Sequence, residues 1–473
     1  MRCMLTAPSW TADDIRSPDT RSVSGVWPMP GLLYVAAALR EAGHEVRIVE
    51  GAFHTRAQVL EEIRSWKPDL LGVYSVALMW GRAAELMAQA KQVHPGLFAV
   101  AGGHGPTAFK QRCLDAPAVD AVVYGEGEAT AVELAARVSE GADLNGVNGC
   151  VWRDGDGVVV NAPREPISNL DVLPFPAYDL VAHYHYRPSY GQVRRLPAIE
   201  MVSSRGCPNS CIYCFRIMGP AVRFRSPGNV VDEMEVYVKD YGAREIKFWD
   251  EHFTLDRARA LAICEEILKR GLKVPFWCSA RVDAVDEELL RMMRKAGCWC
   301  INYGLETGVE KNLQALDKDA TVEQGIRAVE MTHAAGMETV GTYVFGIPGE
   351  TYEEGLETIR LACRLNHYYV EFFPLTPFPG TELYENIDKY GTLNAPMERM
   401  GMLFKGAPFL PRTMTEDDVV GLLSKAYTTY YGRPSFALRR IARIRTWYDV
   451  QALYGGGLAI AKMMLGRLRR ALQ

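Results

Sequence analysis

Ser204-Arg205-Gly206-Cys207-Pro208-Asn209-Ser210-Cys211-Ile212-Tyr213-Cys214 decides the reading of this chain. It follows an apolar run, Ala198–Val202, that reads as a strand, and its glycine, proline and asparagine mark a loop. Three cysteines separated by three and then two residues can direct three sulfurs at three irons of a cubane. A tetrahedral zinc site wants a fourth ligand and seldom uses three thiolates alone. With three protein thiolates, the fourth iron stays open to a chelating ligand.

The stretch resembles the core motif of the radical S-adenosylmethionine family, Cys-x-x-x-Cys-x-aromatic-Cys, with Tyr213 as the aromatic residue beside cluster and adenine. The resemblance implies a [4Fe–4S] cluster on Cys207, Cys211 and Cys214, with S-adenosylmethionine on the open iron through its amino nitrogen and carboxylate. Electron transfer into the sulfonium then yields methionine and a 5′-deoxyadenosyl radical, the electron coming from an external donor such as flavodoxin or ferredoxin. In such enzymes the cofactor carries the hard chemistry, and the protein positions and tunes it.

Downstream, apolar runs at Glu245–Asp250, Val274–Ala280, Trp299–Leu305, Thr339–Gly346 and Tyr369–Leu375 alternate with amphipathic helical patterns. With Ala198–Val202 they predict a partial (β/α)6 barrel over residues 196–410, with function at the carboxyl ends of the strands. Those ends carry Asp250-Glu251-His252, Ser279, Arg281, Glu306 and Gly346. The resemblance implies that Asp250 and Glu251 hold the methionyl ammonium and that Arg281, beside Ser279, pairs with the methionyl carboxylate. It further implies that Glu306 takes a ribose hydroxyl, while Gly346 and Gly349 admit the adenine. Each residue alone fits a turn or a helix cap equally well; their convergence on one rim favours the site. Cys298 and Cys300 are expected to share one strand face, opposite Trp299, and with Cys264 and Cys278 to be buried apolar residues.

Upstream, residues 1–145 alternate short apolar runs (Arg2–Leu5, Glu45–Val49, Leu70–Tyr74, Phe98–Ala101, Ala121–Tyr124) with helical patterns. They predict a five-strand doubly wound α/β sheet that binds ligands at its carboxyl rim. The loops there include Gly102-Gly103-His104-Gly105-Pro106 and Gly125-Glu126-Gly127-Glu128, whose glycines either let backbone approach a bulky ligand or merely make tight turns. No G-x-G-x-x-G follows the first strand, which disfavours a nicotinamide site. This order of parts resembles the branch of the radical family whose members carry an N-terminal cobalamin-binding domain. The resemblance implies that Gly102, Gly103, His104, Gly125, Glu126 and Gly127 line a corrinoid. The Asp-x-His-x-x-Gly motif is absent, which implies a corrinoid with its own base displaced. Beneath it would lie no protein ligand, or a group from the Ser75–Trp80 loop, Ser75 first. Trp27-Pro28-Met29-Pro30-Gly31 reads as a lid or as a rigid entry to a helix.

Residues 146–195 read as a β-hairpin and an ordered linker whose aromatic and histidine cluster, Tyr178 to Tyr190 with His183 and His185, packs at the domain junction. Residues 411–473 read as a helical, basic amphipathic region: nine Arg or Lys from Arg433 onward stand against one acid, Asp449. That end suits a peripheral membrane contact or a helix docked on its own barrel with a solvated basic face. The chain as a whole, 473 residues with a net charge of −4, points to no nucleic-acid partner. Eleven cysteines in a chain of this length do not read as a disulfide scaffold. The N-terminus lacks a signal-peptide pattern, and no apolar run is long enough to span a membrane. A reducing cytoplasm, with or without membrane-surface association, is therefore expected.

The leading functional expectation is cobalamin-dependent radical methylation of a carbon centre in a small molecule. The alternative is oxidative cyclisation or ring rearrangement, as in the anaerobic cyclase of bacteriochlorophyll synthesis. Tyr368, Tyr369, Phe372 and Phe373 suggest an apolar or aromatic substrate pocket, although period-two alternation turns half of them into packing.

Overall fold

The computed structural model describes residues 1–8, 25–189, 192–394 and 406–444, with six further positions from 450 to 457. Strand β1 (Arg2–Thr6) pairs in parallel with β2 (Glu45–Val49) on one side and β3 (Leu70–Tyr74) on the other. Strands β4 (Phe98–Gly102) and β5 (Ala121–Val123) continue the sheet in parallel, which gives a doubly wound order with its switch point between β1 and β3. Alternation along each strand divides the apolar residues between two layers. Leu5, Leu70, Val100 and Val123 pack with helices Pro30–Glu41 and Glu128–Ser139; Met4, Leu71, Ala99 and Val122 pack with Arg56–Trp66 and Trp80–Val93.

The hairpin of β6 (Cys150–Asp154) and β7 (Gly157–Val160), expected in the connector, instead joins this sheet antiparallel to β5, making seven strands. The physical reason is the bare edge of β5, which Val151 and Trp152 cover as buried residues. The linker aromatics pack as expected. Phe53 stacks on Tyr184, Tyr186 Oη donates to Glu50, and Tyr178 meets Tyr237 and Tyr241 of the second domain. His183 and His185 are exposed, and Tyr190 lies outside the described residues.

The second sheet begins at β8 (Ala198–Met201). A two-stranded hairpin, β9 (Ser204–Arg205) with β10 (Arg223–Phe224), stands at its mouth. Strands β11 (Glu245–Phe248), β12 (Phe276–Ala280), β13 (Cys298–Glu306), β14 (Glu338–Phe345) and β15 (Tyr369–Pro374) then follow in parallel and in chain order, an open half-barrel of six strands. The outer helices begin at side-chain caps, Ser226, Asp256, Asp286, Thr321 and Thr351, each accepting from an N–H of the first turn.

The shared face expected for Cys298 and Cys300 does not occur. The β12–β13 register shifts at Trp299, so Cys298 packs with the outer helices, whereas Cys300 packs with Trp277 and Trp299. Both cysteines, with Cys264 and Cys278, are fully buried as expected.

Helix Glu416–Tyr431 closes the free edge of β15. Tyr427 and Tyr431 each accept a strand N–H and donate to a strand carbonyl, at Phe372 and Val370 respectively. Helix Pro434–Ala442 sets Phe436 on Tyr430 and Tyr431 and Arg440 on Tyr368, and it leaves Leu438 and Ile441 exposed. The basic stretch expected over Leu458–Leu472, together with Arg445 and Trp447, lies outside the described residues. Among the described residues no helix is long and apolar enough to cross a membrane.

Candidate active site

The three cysteines of the motif sit on a closed loop whose neck is β9–β10, where Arg205 and Arg223 are direct cross-strand partners. Gly206 leaves the neck with φ +95°, and a Cβ there would stand 2.4 Å from the Ala221 carbonyl oxygen. The loop is tied across itself by Cys207 N–H to Gly219 O, 3.2 Å, and Cys214 N–H to Cys211 O, 3.1 Å. It is tied to the barrel by Ile212 N–H to Leu316 O, 3.1 Å, and Ser210 Oγ to Asp317, 2.7 Å. Cys207 and Cys211 are half-buried and Cys214 is exposed. Burial pushes the Cys211 thiol up, while the nearby Lys318 and Arg281 cations pull it down. Among the described residues no three His, Cys, Asp or Glu side chains converge as on a single metal ion. The donor set itself, three thiols on a constrained, accessible loop, fits an iron–sulfur cluster.

The rim residues divide into those open to a ligand and those already held. Asp250, expected on the methionyl ammonium, is buried and accepts from Ser203 N, Ser203 Oγ and Ser204 Oγ at 2.6, 2.5 and 2.7 Å. It therefore fastens the turn into the cluster loop. Glu251 is exposed as a residue; partial desolvation of its carboxyl end and the Asp250 charge raise it against the pull of the Gly206 N–H, Arg216 and Arg223. Ser279 is half-buried on the same rim. Arg281 is gripped by both oxygens of Asp283, at 2.9 Å each, so its fork is not free for a methionyl carboxylate.

Glu306 occupies the left-handed region, φ +61°, at a β-bulge, and pairs with Lys318 Nζ at 2.5 Å in a buried ion pair. Lys318 also donates to Gly304 O at 2.6 Å. Gly304 makes this pair possible, since a Cβ there would be 2.5 Å from Glu306 Oε1. The ribose role expected for Glu306 is thus met by a carboxylate already neutralised. Tyr213 packs beside Ile212 and Leu316, its hydroxyl pKa raised by burial and by Glu306. Gly346, φ +86°, faces Val419 and the Phe409 carbonyl, and its N–H donates to buried Glu350. His252 is buried and held neutral, its pKa lowered to about 4 by burial and Arg281.

On the first sheet a cleft of about 1070 Å³, mouth included, runs between helices Pro30–Glu41 and Glu128–Ser139 onto Leu5, Gly72 and Val100. Gly102, Gly103, His104, Gly125, Glu126 and Gly127 all wall it. At Gly31 and Gly125 a Cβ would meet nothing within 4 Å, and at Gly102 only the Val123 carbonyl oxygen, so side chains there would fill the cleft. A large, flat ligand fits this glycine cradle. Ser75 does not wall it: the residue is buried and its hydroxyl donates to Val76 O. His104 stands at the mouth with Nδ1 3.0 Å from Tyr74 Oη. Arg205, Ile217 and Met218, on either side of the cysteines, complete the wall.

The concave face of the half-barrel was not legible in advance. Lys247 is buried there, 3.1 Å from Glu200, with Trp27, Trp249 and Trp277 rings 4.7, 3.4 and 4.6 Å from Nζ. Trp27 belongs to the segment expected as a lid, which reaches from the cradle (Pro30, Gly31) to this cage. Phe372 and Tyr368, expected in a pocket, pack instead against Tyr427 and Trp299.

A doubly wound sheet presents a glycine cradle to the cysteine loop of a six-strand half-barrel. The B12 binding domain family matches residues 17–135 and the Radical SAM superfamily residues 201–362. The chain is 31% identical over 437 residues to an uncharacterised methyltransferase of Pyrococcus horikoshii, covering 89% of this chain and 91% of that one. It is 32% identical over 376 residues to the anaerobic magnesium-protoporphyrin IX monomethyl ester cyclase of Rubrivivax gelatinosus, 77% of this chain and 67% of that one. The fold matches the radical S-adenosylmethionine methyltransferase TsrM from Kitasatospora setae, solved with cobalamin and a [4Fe–4S] cluster, with a TM-score of 0.71, 18% identity and 99% of each chain covered. The chain belongs to the cobalamin-dependent radical S-adenosylmethionine enzymes.

Proposed function

We propose that this protein methylates a carbon centre of a small molecule, with cobalamin, S-adenosylmethionine and a [4Fe–4S] cluster as cofactors. One observation carries the reading: the cradle on the first sheet is walled by both flanks of the cysteine loop, Arg205 on one side and Ile217 and Met218 on the other. A radical made at the loop and a methyl donor in the cradle would meet over the same mouth. When bound, cluster and S-adenosylmethionine supply a carbon-centred radical, and the corrinoid supplies the methyl group.

The chain's own residues bind and orient. Cys207, Cys211 and Cys214 would hold the cluster, Glu251 offers the open carboxylate for the methionyl ammonium, and the glycines at 31, 102 and 125 admit the corrin. The tryptophans around Lys247 offer stacking faces to a flat substrate, with the ammonium behind them. A flavodoxin- or ferredoxin-type donor would supply the electron.

The test is product analysis of the anaerobically reconstituted enzyme given host extract. Methylation predicts a product heavier by one CH2, with S-adenosylhomocysteine and 5′-deoxyadenosine formed in equal amounts. A second reading, oxidative cyclisation, draws on the similarity to the Rubrivivax gelatinosus cyclase. It predicts 5′-deoxyadenosine without S-adenosylhomocysteine and a product that gains no carbon.

A further inference from the structure

We infer that Glu126 is a positioning residue that couples the cobalamin cradle to the cluster loop, so that each cofactor site strengthens the other. The inference deepens the proposed function and rests on it. Arg205 and Arg223 oppose each other at the neck of the loop that carries all three cysteines. Like charges directly across a strand pair repel, and these guanidiniums are only 4% and 9% exposed, where an uncompensated charge is costly. Glu126 lies between them, Oε1 2.5 Å from Arg223 Nη2 and Oε2 3.4 Å from Arg205 Nη1, and Glu128 takes Arg205 Nη2 at 2.6 Å.

Neither acid comes from the barrel. Both follow β5: Glu126 stands on the loop between Gly125 and Gly127, which wall the cradle, and Glu128 opens the next helix. The same carboxylate of Glu126 accepts the Ile167 N–H, so its position is fixed from a third segment. On the barrel side there is little slack. Gly206 is packed against Ala221 O and Gly219 O, so a shift of Arg205 passes directly to Cys207. Ligand in the cradle fixes the acidic loop; the acidic loop fixes the neck; the neck sets the three sulfurs. Coupling of this kind is reciprocal, and about fivefold or more is its usual size.

The test is hydroxocobalamin affinity of the anaerobic protein, by spectroscopic titration, with and without the reconstituted cluster. In the wild type the cluster-bearing form should bind at least about fivefold more tightly. In Glu126→Gln that ratio should fall to about one, whatever the absolute affinities do, and Glu126→Asp should restore part of it. The ratio is the readout because a merely damaged cradle weakens both forms alike. A wild-type ratio of one, or an unchanged ratio in Glu126→Gln, overturns the inference. If Glu126→Gln does not fold, the double variant Glu126→Gln/Arg223→Met, which removes the orphaned charge, must give the same loss. Absence of hydroxocobalamin binding in either wild-type form would instead overturn the proposed function.

Discussion

Arg205 and Arg223 face each other across β9 and β10, one at each end of the loop that holds Cys207, Cys211 and Cys214. The barrel alone leaves this pair electrostatically unfavourable; acids from the other domain neutralise it. The cluster loop is therefore finished by interdomain packing, and the domains are to be treated as one catalytic body.

Replacing any one of Cys207, Cys211 or Cys214 by Ala should abolish cluster assembly and reductive formation of 5′-deoxyadenosine. The protein should stay folded, since these side chains are half-buried or exposed. Iron and sulfide analysis beside circular dichroism checks both halves.

The adjacent acids Asp250 and Glu251 should separate cleanly. Asp250→Ala removes three charge-assisted hydrogen bonds in a buried site and should cost about 3 kcal/mol or more in denaturant unfolding. Glu251→Gln should leave stability within about 0.5 kcal/mol and raise the KM for S-adenosylmethionine about tenfold, the equivalent of about 1.4 kcal/mol. Unchanged KM in the second variant would remove Glu251 from the site.

Lys318→Met leaves the Glu306 carboxylate buried without its ion pair, and about 3–5 kcal/mol of destabilisation is expected. The double variant Lys318→Met/Glu306→Gln should recover most of it. Chemical denaturation of these two variants and of Glu306→Gln alone measures the coupling.

Gly102→Leu projects a side chain into the cradle from ordinary strand backbone, where a Cβ meets only the Val123 carbonyl oxygen at 3.9 Å. Hydroxocobalamin should bind at least about tenfold more weakly, a loss of about 1.4 kcal/mol, with thermal stability little changed. Equal affinity would show that the ligand does not enter between the two helices.

Burial raises the Glu350 carboxyl from 4.5 to about 7 against the pull of the Gly346 and Ile347 N–H groups. Below pH 4.5 both folded and unfolded chains carry the proton. Between about 4.5 and 7 the folded protein retains a proton that the unfolded chain releases, so stability falls as pH rises across this window and is flat above it. Glu350→Gln keeps an acceptor for both N–H groups. It should remove this part of the slope and gain up to about 3 kcal/mol at pH 8, read from unfolding curves at stepped pH.

How far the sequence carried this reading follows from how local each signal is. Strand and helix periodicity is a property of neighbours, so the five parallel strands of the first sheet and all six of the half-barrel were legible, while the docking of the hairpin on β5 was not. The cysteine spacing was legible for the same reason. The bulge at Trp299 was not: one extra residue in β13 turned Cys300 away from the face of Cys298. No local pattern distinguishes Asp250, which fastens a turn, from exposed Glu251 beside it. Lys318 neutralises Glu306, a partner that only the folded chain brings into reach, whereas Asp283 lies two residues from Arg281 and only its grip on the guanidinium is set by the fold.

By itself the sequence determined the parts: a sheet with a glycine-rich rim, a half-barrel, and a loop with three thiols at cluster spacing. Tertiary structure alone decided which polar residues remain open for chemistry. It paired Glu306 with Lys318 and Asp250 with two serines, and it gave Arg205 and Arg223 their acids from another domain. The physical reason is that a buried charge must find a partner, and the partner is chosen by distance in space, which sequence position does not encode.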